Sequence, residues 1–156
     1  MSKYPSSAFI GVFLITLPLG CAQPTGNSDE AAAIAAIQKF GGKVELEGQG
    51  NDRRVIKVYL HGSSIQDDDL TLIEKLPKVR NLFLGKTQVG DAGLSYLRTS
   101  SELQTLSLNY TRVTDEGLKS LTGLSKLKTL NLQETKATAE GAAELRKAIP
   151  GLTIAQ

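Results

Sequence analysis

Leu103-Gln104-Thr105-Leu106-Ser107-Leu108-Asn109-Tyr110-Thr111-Arg112-Val113-Thr114-Asp115-Glu116-Gly117-Leu118-Lys119-Ser120-Leu121 is the stretch that decides the fold of this 156-residue chain. Leu106 and Leu108 alternate with polar residues, as a short strand with one buried face requires. Leu118 and Leu121 stand three apart, the spacing of one helix face. The stretch then recurs. Leu60, Leu84, Leu108 and Leu132 are spaced by 24, with Val58, Leu82, Leu106 and Leu130 two residues before them and Val55, Val79, Leu103 and Leu127 five before. A strand and a short helix cannot bury their apolar faces alone, so such units must stack and share one core.

The second half of each unit keeps its own columns. Ser63, Thr87, Thr111 and Thr135 share one, followed by Ile65, Val89 and Val113, then Asp67, Asp91 and Asp115. Gly93, Gly117 and Gly141 come next, then Leu70, Leu94 and Leu118, and then Ile73, Leu97, Leu121 and Leu145. The hydroxyl column is expected to bond turn backbone groups. Thr114-Asp115-Glu116 reads as a helix start. Because Asp67 shares a column with Asp91 and Asp115, helix capping explains Asp67-Asp68-Asp69 better than a divalent cation does. The glycines are either small packing positions or places where the backbone needs no Cβ.

The L-x-x-L-x-L spacing is that of a leucine-rich repeat. Thr111 to Leu121 resembles the T-x-V-T-D-x-G-L-x-x-L unit of bacterial leucine-rich-repeat proteins, and is similar to the cysteine-containing repeat of eukaryotic F-box adaptors, with Thr in the Cys place. The resemblance covers residues 55–152. It implies an α/β solenoid with parallel strands on the concave side, short helices on the convex side, and protein recognition rather than catalysis. Two units depart from the pattern. The first has Asp69 in place of the glycine, and the last has Ala137, Ala139 and Ala142 where Val, Asp and Leu are expected, which marks it as the C-terminal cap. A longer helix, Pro150-Gly151 and a last short strand are expected there.

Before the repeats, residues 29–54 read as an N-terminal cap: a helix through Ala31 to Phe40 stopped by Gly41-Gly42, a strand at Lys43 to Glu47, and a turn-rich loop. Residues 1–20 read as an export signal, with Lys3 ahead of an apolar run too short to span a bilayer easily. Leu17-Pro18-Leu19-Gly20-Cys21 resembles the lipobox of bacterial lipoproteins, although Pro18 departs from its usual Leu. That resemblance makes Cys21 the lipidated first mature residue and residues 21–28 a polar tether. The expected address is the bacterial cell envelope, anchored on the periplasmic or outer-membrane side; secretion without an anchor and an uncleaved anchor are the alternatives.

A single Cys and a single His leave no intramolecular disulfide and no Cys-rich zinc site. Net charge is +2 without a basic patch among aromatics, so nucleic acid has no support. No cofactor, metal or catalytic constellation is expected. His61 lacks a nearby Cys and reads as a surface or ligand-contacting residue. The strand positions facing away from the core form the candidate binding face: Lys57, Tyr59, His61, Asn81, Phe83, Ser107, Asn109, Asn131 and Gln133, with Lys86 and Tyr110 just beyond. Tyr59 and Phe83 fall in one column of adjacent units, roughly 4.8 Å apart along the stack, and exposed aromatics beside amides favour recognition. The expected partner is a protein, or a glycan, with the membrane reached through lipidated Cys21. An inert envelope spacer and an F-box-like adaptor are the alternative roles.

Overall fold

The computed structural model describes residues 28–156; residues 1–20, read from the sequence as an export signal, and Cys21 lie outside them. Helix α1 (Ser28–Lys39) leads into strand β1 (Lys43–Glu47), which pairs antiparallel with β2 (Arg54–Tyr59). Strands β3 (Asn81–Phe83), β4 (Thr105–Ser107), β5 (Thr129–Asn131) and β6 (Thr153–Ala155) then add in parallel, giving a six-stranded sheet in chain order. Each parallel pair joins residues one period apart, so Val58, Leu82, Leu106, Leu130 and Ile154 lie in one row. The last strand keeps this register three residues beyond Leu152.

The return path of each unit carries one helical turn or a little more: α2 (Thr71–Glu74) behind a 3-10 turn at Asp67–Leu70, α3 (Asp91–Leu94) ahead of one at Ser95–Thr99, and α4 (Asp115–Lys119). The last is the ten-residue α5 (Ala139–Ala148). Between sheet and helices the leucine and valine columns form one continuous buried cluster running from Ala33 and Ile37 of α1 to Ile149 and Leu152. Each buried Leu-sized side chain contributes about 1.5–3 kcal/mol against chain entropy. Leu76 and Leu124 belong to this core too, in a column whose other member is buried Ser100.

Backbone ladders tie the units beyond the three-residue strands. Leu60, Leu84, Leu108 and Leu132 donate to the carbonyls of Phe83, Ser107, Asn131 and Ala155. On the far side of each turn Gln88, Arg112 and Lys136 donate to Ile65, Val89 and Val113. The threonine column works within its own unit: Thr87, Thr111 and Thr135 hydroxyls donate to the carbonyls of Leu84, Leu108 and Leu132 at 2.6–2.7 Å. Ser63 holds the same position, but its buried Oγ has no partner. Lacking the branched Cβ that narrows a threonine's rotamers, serine is less firmly aimed at the carbonyl.

The aspartate column does something other than cap its own helix. Asp91 accepts from the next unit, taking the Thr114 N–H on Oδ1 and the Thr114 hydroxyl on Oδ2, both at 2.7 Å. Asp115 holds Thr138 in the same way, and Asp67 takes the Gly90 N–H at 2.6 Å. Thr114 and Thr138 are the N-cap residues of α4 and α5. Each aspartate therefore grips the N-cap of the following helix from the first position of its own. The glycine column makes room for that grip, since a Cβ at Gly93, Gly117 or Gly141 would collide with Oδ1 of Asp67, Asp91 or Asp115. One period before Asp67 the column holds Lys43 of β1 rather than an aspartate, so Asp69 is tolerated in the first unit and instead accepts from the Gln66 N–H at 2.8 Å. In the last unit Ala139 stands in the aspartate column, at the first position of α5.

The cap is fastened by a carboxylate as well. Glu30 of α1 is buried, and its Oε1 accepts the Val55 N–H at 2.7 Å, satisfying a backbone donor of the first repeat strand. Gly41 (φ +76°) ends α1 in the left-handed region, and Gly42 lies so close to Ile37, Leu60 and the Tyr59 carbonyl that a Cβ would meet all three at 2.8 Å.

The packing role of the glycine column yields a direct expectation. Gly117→Ala should destabilise the fold by about 1–3 kcal/mol, as overpacking does, whereas Gly123→Ala, whose Cβ would meet nothing, should not. Thermal unfolding of the two variants checks this, and equal melting temperatures would contradict the grip.

Candidate interaction surface

Strand residues that alternate with the core rows stand on the open side of the sheet, and they form columns across the units. The first runs Lys57, Asn81, Thr105, Thr129; the second Tyr59, Phe83, Ser107, Asn131. Beyond the strand ends, the period continues these columns with His61, Gly85, Asn109, Gln133 and then Gly62, Lys86, Tyr110, Glu134. All the residues expected on this face are half-buried or exposed. The exposed ones, His61, Lys86, Tyr110 and Gln133, gather along the side where the strands end.

The side chains are organised among themselves. Tyr59 and Phe83 stack face to face, ring centroids 4.9 Å apart and planes 3° from parallel, so the aromatic pair repeats the interval between strands. The Ser107 hydroxyl donates to Asn109 Oδ1 at 2.7 Å, and Asn131 Oδ1 accepts the Gln133 N–H at 3.0 Å. Gly85 is buried although it belongs to the open face, because His61 Nδ1 and the Asn109 amide converge above it where a Cβ would otherwise stand. Lys86 Nζ lies 5.4 Å from the centre of the Tyr110 ring, a cation–π contact.

Glu45 is the residue that reading the repeats alone misses. It lies on β1, opposite Lys57 in the antiparallel pair, and is almost wholly buried. Its Oε1 accepts the Tyr59 phenol at 2.7 Å and its Oε2 pairs with Lys57 Nζ at 2.8 Å. The polar ends of Lys57 and Tyr59 are therefore tied to the cap. The alternation of Lys43, Glu45 and Glu47 with Val44 and Leu46 hints at the right face. The register does not follow from sequence, because it slips at a bulge between Glu45 and Leu46.

These bonds set the titration. The hydrogen bond from Lys57, and then that from Tyr59, hold the Glu45 carboxyl below the usual carboxylate range, against the opposing effect of burial. Lys57 is raised chiefly by Glu45, and Tyr59 is raised by burial first and by Glu45 second. Asp115 is lowered by the N–H and then the hydroxyl of Thr138. Among the described residues no group of three or more His, Cys, Asp or Glu is placed to hold a metal ion.

A carboxyl that binds its proton more weakly folded than unfolded stabilises the fold above the ordinary carboxylate range, and that contribution is lost as pH falls through it. The melting temperature should therefore fall between roughly pH 6 and pH 3. Glu45→Gln should lower it at the upper pH and narrow the gap to the wild type at the lower one. A gap that stays constant across the window would contradict the role given to Glu45.

One comparison with known proteins matches a family model described as Leucine Rich repeat over residues 99–121, the unit that contains β4 and α4. No curated protein matches the chain. Among solved structures, a leucine-rich-repeat protein of Leptospira interrogans is similar at 18% identity and a TM-score of 0.45, covering 55% of this chain and 21% of that one. An internalin of Listeria monocytogenes is similar at 20% identity and a TM-score of 0.46, covering 65% and 34%. The leucine-rich-repeat ectodomain of an Arabidopsis thaliana receptor kinase is similar at 13% identity and a TM-score of 0.49, covering 82% and 91%. The chain thus spans about a fifth of the Leptospira protein and a third of the internalin. The 24-residue register of its own strands, with a leucine-rich-repeat match on one unit, gives the described residues the fold of a leucine-rich-repeat solenoid.

Proposed function

We propose that this chain is a non-catalytic recognition module that holds a protein partner on the open face of its sheet. The observation that carries this reading is the state of that face. Side chains along it are pre-set by stacking and hydrogen bonds, yet Phe83, Ser107, Asn109 and Asn131 stay half-exposed and Gln133 exposed. Rigid aromatics beside adaptable amides offer contact area at low entropic cost. The centre of the surface is Phe83 with Ser107, Asn109, Asn131 and Gln133. Lys57 and Tyr59 serve it indirectly, since their polar ends are spent on Glu45.

The address belongs to the same proposal. Export through residues 1–20 and lipidation of Cys21 would place the solenoid on the bacterial envelope, with residues 22–27 as a tether, one residue shorter than the sequence reading because Ser28 opens α1. The observations behind this are the order of charge, apolar run and Cys in the sequence. Among the described residues no helix is long and apolar enough to cross a membrane.

Ser107→Arg and Asn109→Arg add bulk to the face without removing core side chains, so melting should remain cooperative. Capture of a specific protein by the native lipidated chain from an envelope extract should fall by an order of magnitude or more, a loss of about 1.4 kcal/mol or greater. Undiminished capture would move the partner off this face. Intact mass of the chain from native membranes should equal acylated Cys21–Gln156, and an unacylated mass would remove the anchor.

A further inference from the structure

The column at the strand ends departs from the economy of the rest of the fold. Gly62, Lys86, Tyr110 and Glu134 all have positive φ, at +72°, +55°, +57° and +55°. Gly62 shows that the turn itself asks for no side chain, yet the three following units put a long or bulky one in a backbone region that L residues rarely adopt. Strain kept at the same place in three successive units points to a use for the side chains. Tyr110 is 54% exposed, and among the described residues it is the exposed large hydrophobic. Lys86 lies against its ring, and neither Lys86 nor Glu134 meets an opposite charge among the described residues. Arg112, two residues past Tyr110, is turned to the Gln88 carbonyl at 2.6 Å.

The row therefore reads cation, aromatic, anion, one strand interval of about 4.8 Å apart at each step. Such a row is its own complement when turned by half a revolution about its middle. We propose that this rim is a two-fold self-association surface, on which Lys86 faces Glu134 of a second copy, Glu134 faces Lys86 of that copy, and the two Tyr110 rings meet on the axis. A second copy is the occupant whose charges match this row, in the right order and at the right spacing. An isologous contact of this kind satisfies both charges at once. Its small size places it among transient interfaces, strengthened wherever copies are concentrated. It leaves Phe83, Ser107 and Asn131 outside the contact and does not rest on the recognition role proposed for them.

The test uses the full chain in mild detergent, with two differently tagged variants, Lys86→Glu and Glu134→Lys. Each variant carries one sign of charge at both ends of the row and should fail to pair with itself, its dissociation constant rising on the order of tenfold or more. Mixed together, the two should pair with each other, because the row of one then complements the row of the other. The doubly substituted chain, Lys86→Glu with Glu134→Lys, should again self-associate, and Tyr110→Ser should weaken every pairing. Sedimentation and co-capture of the tags read all of these. A wild type that stays monomeric up to about 100 μM would overturn the proposal. So would a dimer indifferent to the charge changes, as expected of association through the apolar stretch at residues 8–19, or a mixture that pairs no better than either variant alone.

Discussion

The grip of one unit's aspartate on the next unit's N-cap is the interaction on which the order of the whole stack rests. Hydrophobic burial makes the units collapse together but is indifferent to a slip of one unit past another. The carboxylate is not indifferent. Asp91 takes an N–H and a hydroxyl from one residue, Thr114, and Asp115 repeats this at Thr138. Glycine three residues after each N-cap threonine keeps the passage clear, which is why Gly117 and Gly141 stand where they do. A charged acceptor satisfying otherwise free donors at a helix start is also worth more than a neutral hydrogen bond.

With the helices indexed in this way, the strands can be very short. Three residues per strand suffice because the ladder continues through Leu84, Leu108 and Leu132 into the turns, and a second ladder runs through Gln88, Arg112 and Lys136. What emerges is a surface whose columns are fixed in register and free to vary in chemistry. The aromatic stack of Tyr59 and Phe83, the amides of Asn109 and Asn131, and the charged rim are all consequences of one backbone repeat read out by different side chains. At the N-terminal end the register is fixed by α1 and β1 instead. There Glu30 and Glu45, both buried carboxylates, hold Val55, Lys57 and Tyr59.

Almost all of the architecture was legible in the sequence, because apolar residues at a fixed period have one economical arrangement. The strands, the short helices, the threonines of the hydroxyl column and the altered last unit stand where the spacing places them, while the capping helix expected through Ala31 to Phe40 runs from Ser28 to Lys39 and Ser63 makes no turn bond. What escaped was contact between units. Asp67, Asp91 and Asp115 sit at the start of helical segments, so capping is the natural reading, and only coordinates show the carboxylates reaching across to the next unit. Glycine's part followed from the same geometry. The open face was legible as a list of residues but not as a surface. Alternation names Lys57 and Tyr59 as outward-facing, yet a hairpin bulge brings Glu45 over them. The left-handed backbone at Lys86, Tyr110 and Glu134 was hidden because none of these residue types announces it.

The most direct test of this account is a double-mutant cycle on the grip, with Asp91→Ala, Thr114→Val and the two combined, followed by denaturant unfolding. If the carboxylate and the hydroxyl act as one clasp between units, the two losses will fall short of additivity by about 0.5–3 kcal/mol, the range for residues in direct contact. The unfolding slope should stay constant if the fold remains one cooperative unit. Strictly additive losses would mean that the two side chains stabilise their own units separately, and that the register of the stack is held by something else.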